Sequence, residues 1–416
     1  VIYGGDMSTP LQPTTRAQVS GHRFLRRRVE HGLAFGDIRM IHDPLAARAR
    51  GMIFGTVAVV LGMLGAGLFA WLNPQPDPGD APILRSESGA LFVRIDDHLH
   101  PVINLASARL AVGSPADPVA VGSDYLAAAD KGVPVGINPA PGVIADPEDS
   151  SRIWASCTSV DGVITVLADG APVRLPDGGA VLAEGPTSDW VLTADGRREL
   201  PADTLSQGRV LRRGLGITPE TPRLAVPAEV LSAMTERPAW AAPEPLPTVL
   251  TAGEQSWALN SDSAVAGLTP TQADILTGLG AERREVAARD ISRYADAVPV
   301  NLPAEAPEFL DPVGSRLCGL SDGTVGRDGL VLVPGAVALS GDAPASYFAG
   351  LAQGAVAVDS GHGLHVVSPE GMRFPASPEA LAALGITGAE AVDWSIVAVL
   401  PEGPTLSAEY ARRAVY

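Results

Sequence analysis

The chain has 416 residues and a formal net charge of −17, with 47 Asp plus Glu against 30 Lys plus Arg, a balance that makes nucleic acid a poor partner for most of it. The charge is unevenly divided: the first 50 residues hold eight Arg against four acids, whereas the 344 residues after position 72 hold 22 basic residues against 43 acidic ones. The 37 Pro and 45 Gly punctuate apolar stretches instead of forming a low-complexity tract, so the acidic part is expected to be a folded, turn-rich domain.

In chain order, Val1 to Asp6 suggest no role, and Met7 is an alternative start. Thr15-Arg16-Ala17-Gln18 matches a capping box, and Val19, His22, Leu25, Val29 and Leu33 then fall on one stripe at helical spacing. Arg23, Phe24, Arg27 and Arg28 lie outside that stripe. A basic amphipathic helix of this kind either meets anionic headgroups or docks on a partner. Some 50 residues cannot bury a core of their own, so an external surface is needed either way. The expected partner contacts are Val19, Arg23, Phe24, Arg27 and Arg39.

Gly51 to Leu72 is an uncharged run of 22 residues directly after Arg48 and Arg50, long enough to cross a bilayer as a helix. It exceeds the apolar region of about 7–15 residues found in cleaved signal peptides, and the flanking arginines argue against a buried core helix. The arginine bias places the N-terminus in the cytoplasm and the acidic domain outside. Asp43-Pro44 reads as an N-cap followed by proline at the first helical position. Gly51, Gly55, Ala58, Gly62 and Gly65 recur at four- and three-residue steps, a small-residue face that allows close approach of another helix. The expected organisation is a cytoplasmic segment 1–43, a membrane helix with its extension over 44–73, a linker 74–82 and an outer domain 83–416.

The outer domain shows a recurring hairpin-plus-helix plan. Leu364 to Val367, the turn Ser368 to Gly371, Met372 to Phe374 and a helix opened by Ser377-Pro378-Glu379 and closed at Leu384-Gly385 form one instance. Leu91 to Ile95, the turn Asp96-Asp97, His98 to Val102 and a helix from Leu105 toward Gly113 form another. Shorter echoes are read at Val163 to Leu175 around Ala168-Asp169-Gly170, and at Trp190 to Leu200 around Ala194-Asp195-Gly196. Between them, Pro227 to Met234 and the stretch opened by Thr269-Pro270-Thr271-Gln272 are expected to be helical, and Gly329 to Val333 a strand ending at Pro334-Gly335. The fold class is α+β: one N-terminal transmembrane helix, then a β-rich domain of repeated modules around a central section.

Motifs for chemistry are sparse. A phosphate loop G-x-x-x-x-G-K-[ST] needs a lysine, and the chain's one lysine, Lys131, precedes Gly132-Val133. Gly214-Leu215-Gly216 and Gly278-Leu279-Gly280 lack the third glycine of a dinucleotide fingerprint. Gly319-Leu320-Ser321-Asp322-Gly323 formally fits the nucleophile elbow G-x-S-x-G, with His362 and His365 downstream as possible bases, but its surroundings read as a loop. His98 and His100 share one face of a predicted strand beside Asp96 and Asp97, which suits surface histidines better than a metal site without further ligands. No catalytic, cofactor or metal residues are therefore assigned. Two cysteines, Cys157 and Cys318, both follow the span; an oxidising compartment favours a disulfide, and two buried thiols are the alternative.

Several strings resemble a known family. Gln18-Val19-Ser20-Gly21, Arg23-Phe24, Arg26-Arg27, Asp37-Ile38-Arg39-Met40 and Asp43-Pro44-Leu45 look like the cytoplasmic signature of EccB, a core membrane component of type VII (ESX) secretion systems. The segment from Leu99-His100-Pro101 through Ser107-Ala108-Arg109-Leu110 resembles that family's first outer segment, and Trp154-Ala155-Ser156-Cys157 its first cysteine region. One departure is Asn138-Pro139, where the family pattern suggests Pro-Gly. The resemblance implies four outer repeats around a central domain, a disulfide that here would join Cys157 and Cys318, and outer domains that associate in the periplasm of mycobacteria and related actinobacteria. It also implies that the N-terminal segment and span contact the other ESX membrane components, including an FtsK-like ATPase that is the motor. The expected role is a non-enzymatic scaffold; the alternatives are an exoplasmic hydrolase using Ser321, an ATP-hydrolysing subunit as some members have been labelled, and a module that binds cell-wall material.

Overall fold

The computed structural model describes residues 14–36, 38–39, 44–72, 78–145, 152–170, 172–329 and 335–416. The chain divides into two compact units, residues 1–76 and 77–416.

The first unit contains two helices. α1 (Arg16–Phe35) begins with the capping box that the sequence predicts: the Thr15 N–H donates to Gln18 Oε1 at 2.9 Å while the Gln18 N–H donates to Thr15 Oγ1 at 3.4 Å. It stops at Gly36, whose φ of 70° is the left-handed cap that only glycine adopts without strain. α2 (Pro44–Leu72) has 29 residues, about 43 Å at 1.5 Å per residue, and so exceeds a hydrocarbon core of about 30 Å. Arg50–Phe69 within it is the one candidate span among the described residues. Asp43, the expected N-cap, lies outside them.

The second unit starts with an antiparallel meander, β1 (Ile83–Ser86), β2 (Leu91–Ile95) and β3 (His98–Val102), crossed by α3 (Leu105–Val112) and closed by β4 (Val119–Val121), which returns parallel to β1. Asp96 and Asp97, at φ 48° and 65°, form the two-residue hairpin turn, a geometry that short Asp side chains tolerate. Asn104 caps α3 by accepting the Ser107 N–H at 2.7 Å. The short α4 (Ser123–Ala128) follows and covers the sheet's other face, where Tyr125 and Leu126 pack on Leu84, Leu99 and Val121.

The chain next lays down β5 (Ala155–Thr158), β6 (Ile164–Leu167) and β7 (Val173–Arg174) of a second, larger sheet. It then leaves to build β8 (Gly179–Glu184), β9 (Asp189–Thr193), β10 (Gly196–Glu199), α5 (Ser206–Gly214), β11 (Arg223–Ala225) and α6 (Ala228–Ser232). β12 (Thr248–Ala252), β13 (Gln255–Leu259), β14 (Ala264–Leu268), α7 (Pro270–Gly278), β15 (Arg283–Glu285) and α8 (Ala288–Ile291) follow, with β16 (Ala295–Asp296) beside β14. On the way back β17 (Glu308–Phe309) pairs with β8, and β18 (Ser315–Leu320), β19 (Val325–Gly329), β20 (Val337–Ala338) and β21 (Tyr347–Ala349) complete the seven-stranded central sheet, order β20-β21-β6-β5-β18-β19-β7. The last sheet is β22 (Val356–Asp359), β23 (Leu364–Val367), β24 (Arg373–Ala376), α9 (Pro378–Leu384) and β25 (Glu390–Ala391), followed by α10 (Trp394–Val397) and α11 (Ala408–Ala411). The small sheets, numbered one to four along the chain, have the orders β3-β2-β1-β4, β10-β9-β8-β11, β15-β12-β13-β14-β16 and β24-β23-β22-β25. In each, a parallel strand after the crossing helix joins the first strand of a meander.

Three cores fix the spatial order. Ile83, Val93 and Leu110 of sheet one share a core with Phe374, Leu381 and Leu384 of sheet four. Leu182, Val191 and Leu211 of sheet two share one with Val249, Ile275 and Leu276 of sheet three. The third joins Trp154, Val166 and Phe348 of the central section to Val181 and Leu192 of sheet two and to Val358, Val367 and Ile396 of sheet four. The row is therefore one, four, centre, two, three.

One sequence expectation changes. Val163 to Leu175 is not a hairpin-plus-helix unit: β6 pairs with β5 and β21, and β7 pairs with β19. All four residues of β6 are buried, so an interior strand of the larger sheet imitated one arm of a hairpin. The strand expected over Gly329 to Val333 coincides with the structure only at Gly329, the end of β19; residues 330–333 lie outside the described residues.

Candidate assembly surfaces

On α1, Val19, Arg23, Phe24 and Arg27 line one concave strip together with Thr14, Arg16 and Ser20. Arg39 lies beyond the helix end and is exposed. Of the apolar stripe, Leu25, Val29 and Leu33 are also exposed, Leu33 to 84%. Arg26 is paired with Glu30 at 2.9 Å, one turn along the helix. The helix thus presents a basic strip and an apolar stripe, with His31 as its one buried residue.

Gly51, Gly55, Ala58, Gly62 and Gly65 all lie exposed along α2. Among the described residues, a methyl group built on any of the four glycines would meet nothing within 4 Å, so none of them covers that face. The large apolar residues around it, including Ile53, Phe54, Leu61 and Phe69, are exposed as well, as a lipid-facing or partner-facing helix requires.

In the second unit Cys157 and Cys318 form a disulfide, replacing the alternative of two buried thiols. They face each other in the β5–β18 pairing and are fully buried. Other joints between sheets had no sequence signal. Arg109 of α3 donates to the Leu384 carbonyl at the end of α9 (3.3 Å) and to Asp117 (2.9 Å), tying sheet one to sheet four. Arg152 and Trp154 of the central section both reach Glu390 in β25, at 2.5 and 2.8 Å. Helices α5 and α7 approach through reciprocal glycines: a Cβ on Gly214 would sit 2.4 Å from Ile275, and one on Gly278 3.0 Å from Val210.

The residues singled out for chemistry lie elsewhere and in other roles. Gly319 to Gly323 is the β18–β19 hairpin, a strand running into a strand where an elbow needs a helix. The Ser321 N–H donates to the Trp154 carbonyl at 2.9 Å, and Asp322 takes the Thr324 N–H at 3.0 Å and pairs with Arg174. Burial disfavours the Asp322 carboxylate, but the Thr324 hydrogen bonds and Arg174 outweigh it and hold its pKa below the ordinary range. His362 and His365 pack against Trp394. His98 and His100 each place Nδ1 2.9 Å from a backbone carbonyl, of Asp96 and Val133. Among the described residues no group of three or more His, Cys, Asp or Glu gathers as a metal site would.

A family model described as "Type VII secretion system ESX-1, transport TM domain B" matches residues 11–278 and 336–415, covering both units. The chain belongs to the EccB family. A relative, the ESX-1 secretion system ATPase EccB1 of Mycobacterium tuberculosis, is 28% identical over 96% of this chain and 95% of its own length. The ESX-3 secretion system ATPase EccB3 of the same species is 35% identical over 55% of this chain, a match spanning a little under half (45%) of that relative. A chain of an intact ESX-5 inner membrane complex is similar in structure, with a TM-score of 0.66 at 25% identity, over 99% of this chain and 97% of that one. A chain of the EccB3 dimer from the ESX-3 core complex gives the same score at 22% identity, over 80% of this chain and all of that one.

Proposed function

We propose that this EccB-family chain is a structural core component of a type VII secretion membrane complex, anchored by α2 and bracing the assembly through its second unit. The observation that carries this reading is likeness, across both units, to a chain that is itself part of an ESX inner membrane complex. The arginine-rich side of α2 faces the cytoplasm and the acidic unit the periplasm, the orientation that the charge bias favours. The four small sheets are repeats of one module, each a meander, a crossing helix and a returning parallel strand, set around the central sheet. The open faces of α1 and α2 are the contacts to the other ESX membrane components and to the lipid bilayer, the second unit associates with neighbouring copies, and an FtsK-like ATPase supplies the motor. The relatives carry the name ATPase, but in this chain the lysine of a phosphate loop has no counterpart, so hydrolysis is assigned to that partner.

The test is purification of the tagged full chain in a mild detergent, sized by native electrophoresis, with co-purifying subunits identified by mass spectrometry and ATP hydrolysis measured on the isolated chain. Recovery with an ATPase and other membrane subunits, and no hydrolysis by the chain alone, is the expected result. A lone active hydrolase would overturn it.

A further inference from the structure

Trp394, at the start of α10, is enclosed on several sides by groups that carry or can acquire positive charge. The His362 ring stacks on it with centroids 5.7 Å apart, the His365 ring lies 5.4 Å away, and the Arg373 guanidinium carbon sits 5.0 Å from the indole centre. These groups come from the β22–β23 hairpin, β24 and α10, so the indole fastens three elements at once. Arg373 also holds the chain that follows: Nη1 pairs with Glu402 at 2.6 Å and Nε donates to the Leu400 carbonyl at 3.2 Å. Its own N–H donates to the Pro401 carbonyl (2.9 Å), and its carbonyl accepts the Gly403 N–H (2.8 Å). Residues 400–406 are a strap leading from α10, packed in the central core, to α11, which packs on α3 of sheet one. At the strap's far end Arg412 donates to the Ala111 carbonyl at 2.9 and 2.7 Å.

His365 is the proton-accepting group in this arrangement. It is 6% exposed, and its Nδ1 lies 3.2 Å from the Gly363 carbonyl. A carbonyl only accepts, so Nδ1 carries the hydrogen and Nε2 is the basic nitrogen. The charged groups around it are Arg373 on β24, Glu402 on the strap and the titratable His362 on its own hairpin; α10 adds Asp393, whose carboxylate is engaged by the Ser395 N–H at 2.8 Å. Burial first, and Arg373 second, hold the His365 pKa below the ordinary histidine value, against weaker opposite pulls from the Gly363 carbonyl and Glu402. A proton there sets a second cation beside Arg373, in competition for one indole and one carboxylate.

We propose that His365, Trp394 and Arg373 form a proton-operated clasp on residues 400–406: a proton taken up at His365 Nε2 displaces Arg373 from Trp394 and Glu402 and loosens the strap between sheets four and one. The test is amide hydrogen exchange of the full chain in detergent, comparing wild type with His365→Asn at the same pH so that the intrinsic pH dependence cancels. Asn can still donate to the Gly363 carbonyl but takes up no proton. Equal exchange at neutral pH, and exchange of residues 400–406 that becomes about tenfold faster in wild type as the pH falls below 6.5, is the expected result. A ratio that stays near one at every pH overturns the proposal, as does an acid-induced acceleration of residues 400–406 that persists in His365→Asn and is abolished by His362→Gln. Should His365→Asn fail to fold, the pH dependence of Trp394 emission, isolated as the difference between wild type and Trp394→Phe, decides the matter: a transition below pH 6.5 supports the clasp, and a flat profile overturns it.

Discussion

The side chains that decide stability in the second unit sit at its joints. Gly214 is one: a Cβ there meets Ile275 at 2.4 Å, so Gly214→Val is expected to destabilise by about 1–3 kcal/mol, read as a lower denaturant midpoint. Gly267→Ala is the control, since among the described residues nothing lies within 4 Å of its added methyl and its cost is limited to the strand. Arg152 is another. It and Glu390 are about nine-tenths buried, at 10% and 13% side-chain exposure, so Arg152→Ala leaves a carboxylate whose one remaining partner among the described residues is the Trp154 indole N–H. A loss of roughly 3–5 kcal/mol is expected by the same measurement. His365 gives the sign of a pH effect. Its pKa is lower folded than the unfolded 6.5, so the unfolded chain binds the proton first as pH falls. Its contribution is present in full above about pH 6.5 and is lost progressively below, and His365→Asn should flatten that part of a stability-against-pH curve.

At the scale of elements, the sequence was readable wherever local chemistry closes an element. Asp96-Asp97 and Gly113 mark out β2, β3 and the end of α3, and Ser377, Pro378 and Gly385 mark out α9. Thr15 with Gln18, and Thr269 with Gln272, do the same for α1 and α7. What could not be read is pairing between distant residues. Nothing in Arg223–Ala225 says that it lies parallel to β8, and the continuous burial of β6 removes the alternation that would have set it apart from a hairpin arm. The faces expected on α1 and α2 rest on periodicity alone, whereas Arg109, Glu390 and the glycines of α5 and α7 act only once the fold brings their partners near. The open face of α2 leads to a prediction at this scale. Replacing Gly55 and Gly62 by Leu should reduce co-purification of other membrane subunits several-fold while leaving the melting of the second unit unchanged, because among the described residues none lies within 4 Å of a side chain added there.

Over the whole second unit, the chain lays β5 to β7 in the centre, builds sheets two and three, returns through β18 to β21, and only then forms sheet four against sheet one. The two central passes run side by side and are joined by Cys157 and Cys318, 161 residues apart. By loop length alone, opening that bond releases on the order of 5 kcal/mol of constraint on the unfolded chain, so reductant is expected to lower the denaturant midpoint of wild type and to leave that of Cys157→Ser/Cys318→Ser unchanged.

The same bond sets how the unit bears mechanical load. The chain leaves the central sheet for sheets two and three after β7 and returns to it at β18, so both sheets lie inside the loop that Cys157 and Cys318 close. Tension applied between residues before Cys157 and residues after Cys318 crosses at the sulfurs and does not run along the backbone of that loop. Sheets two and three are thereby shielded from a pull on the two ends of the unit.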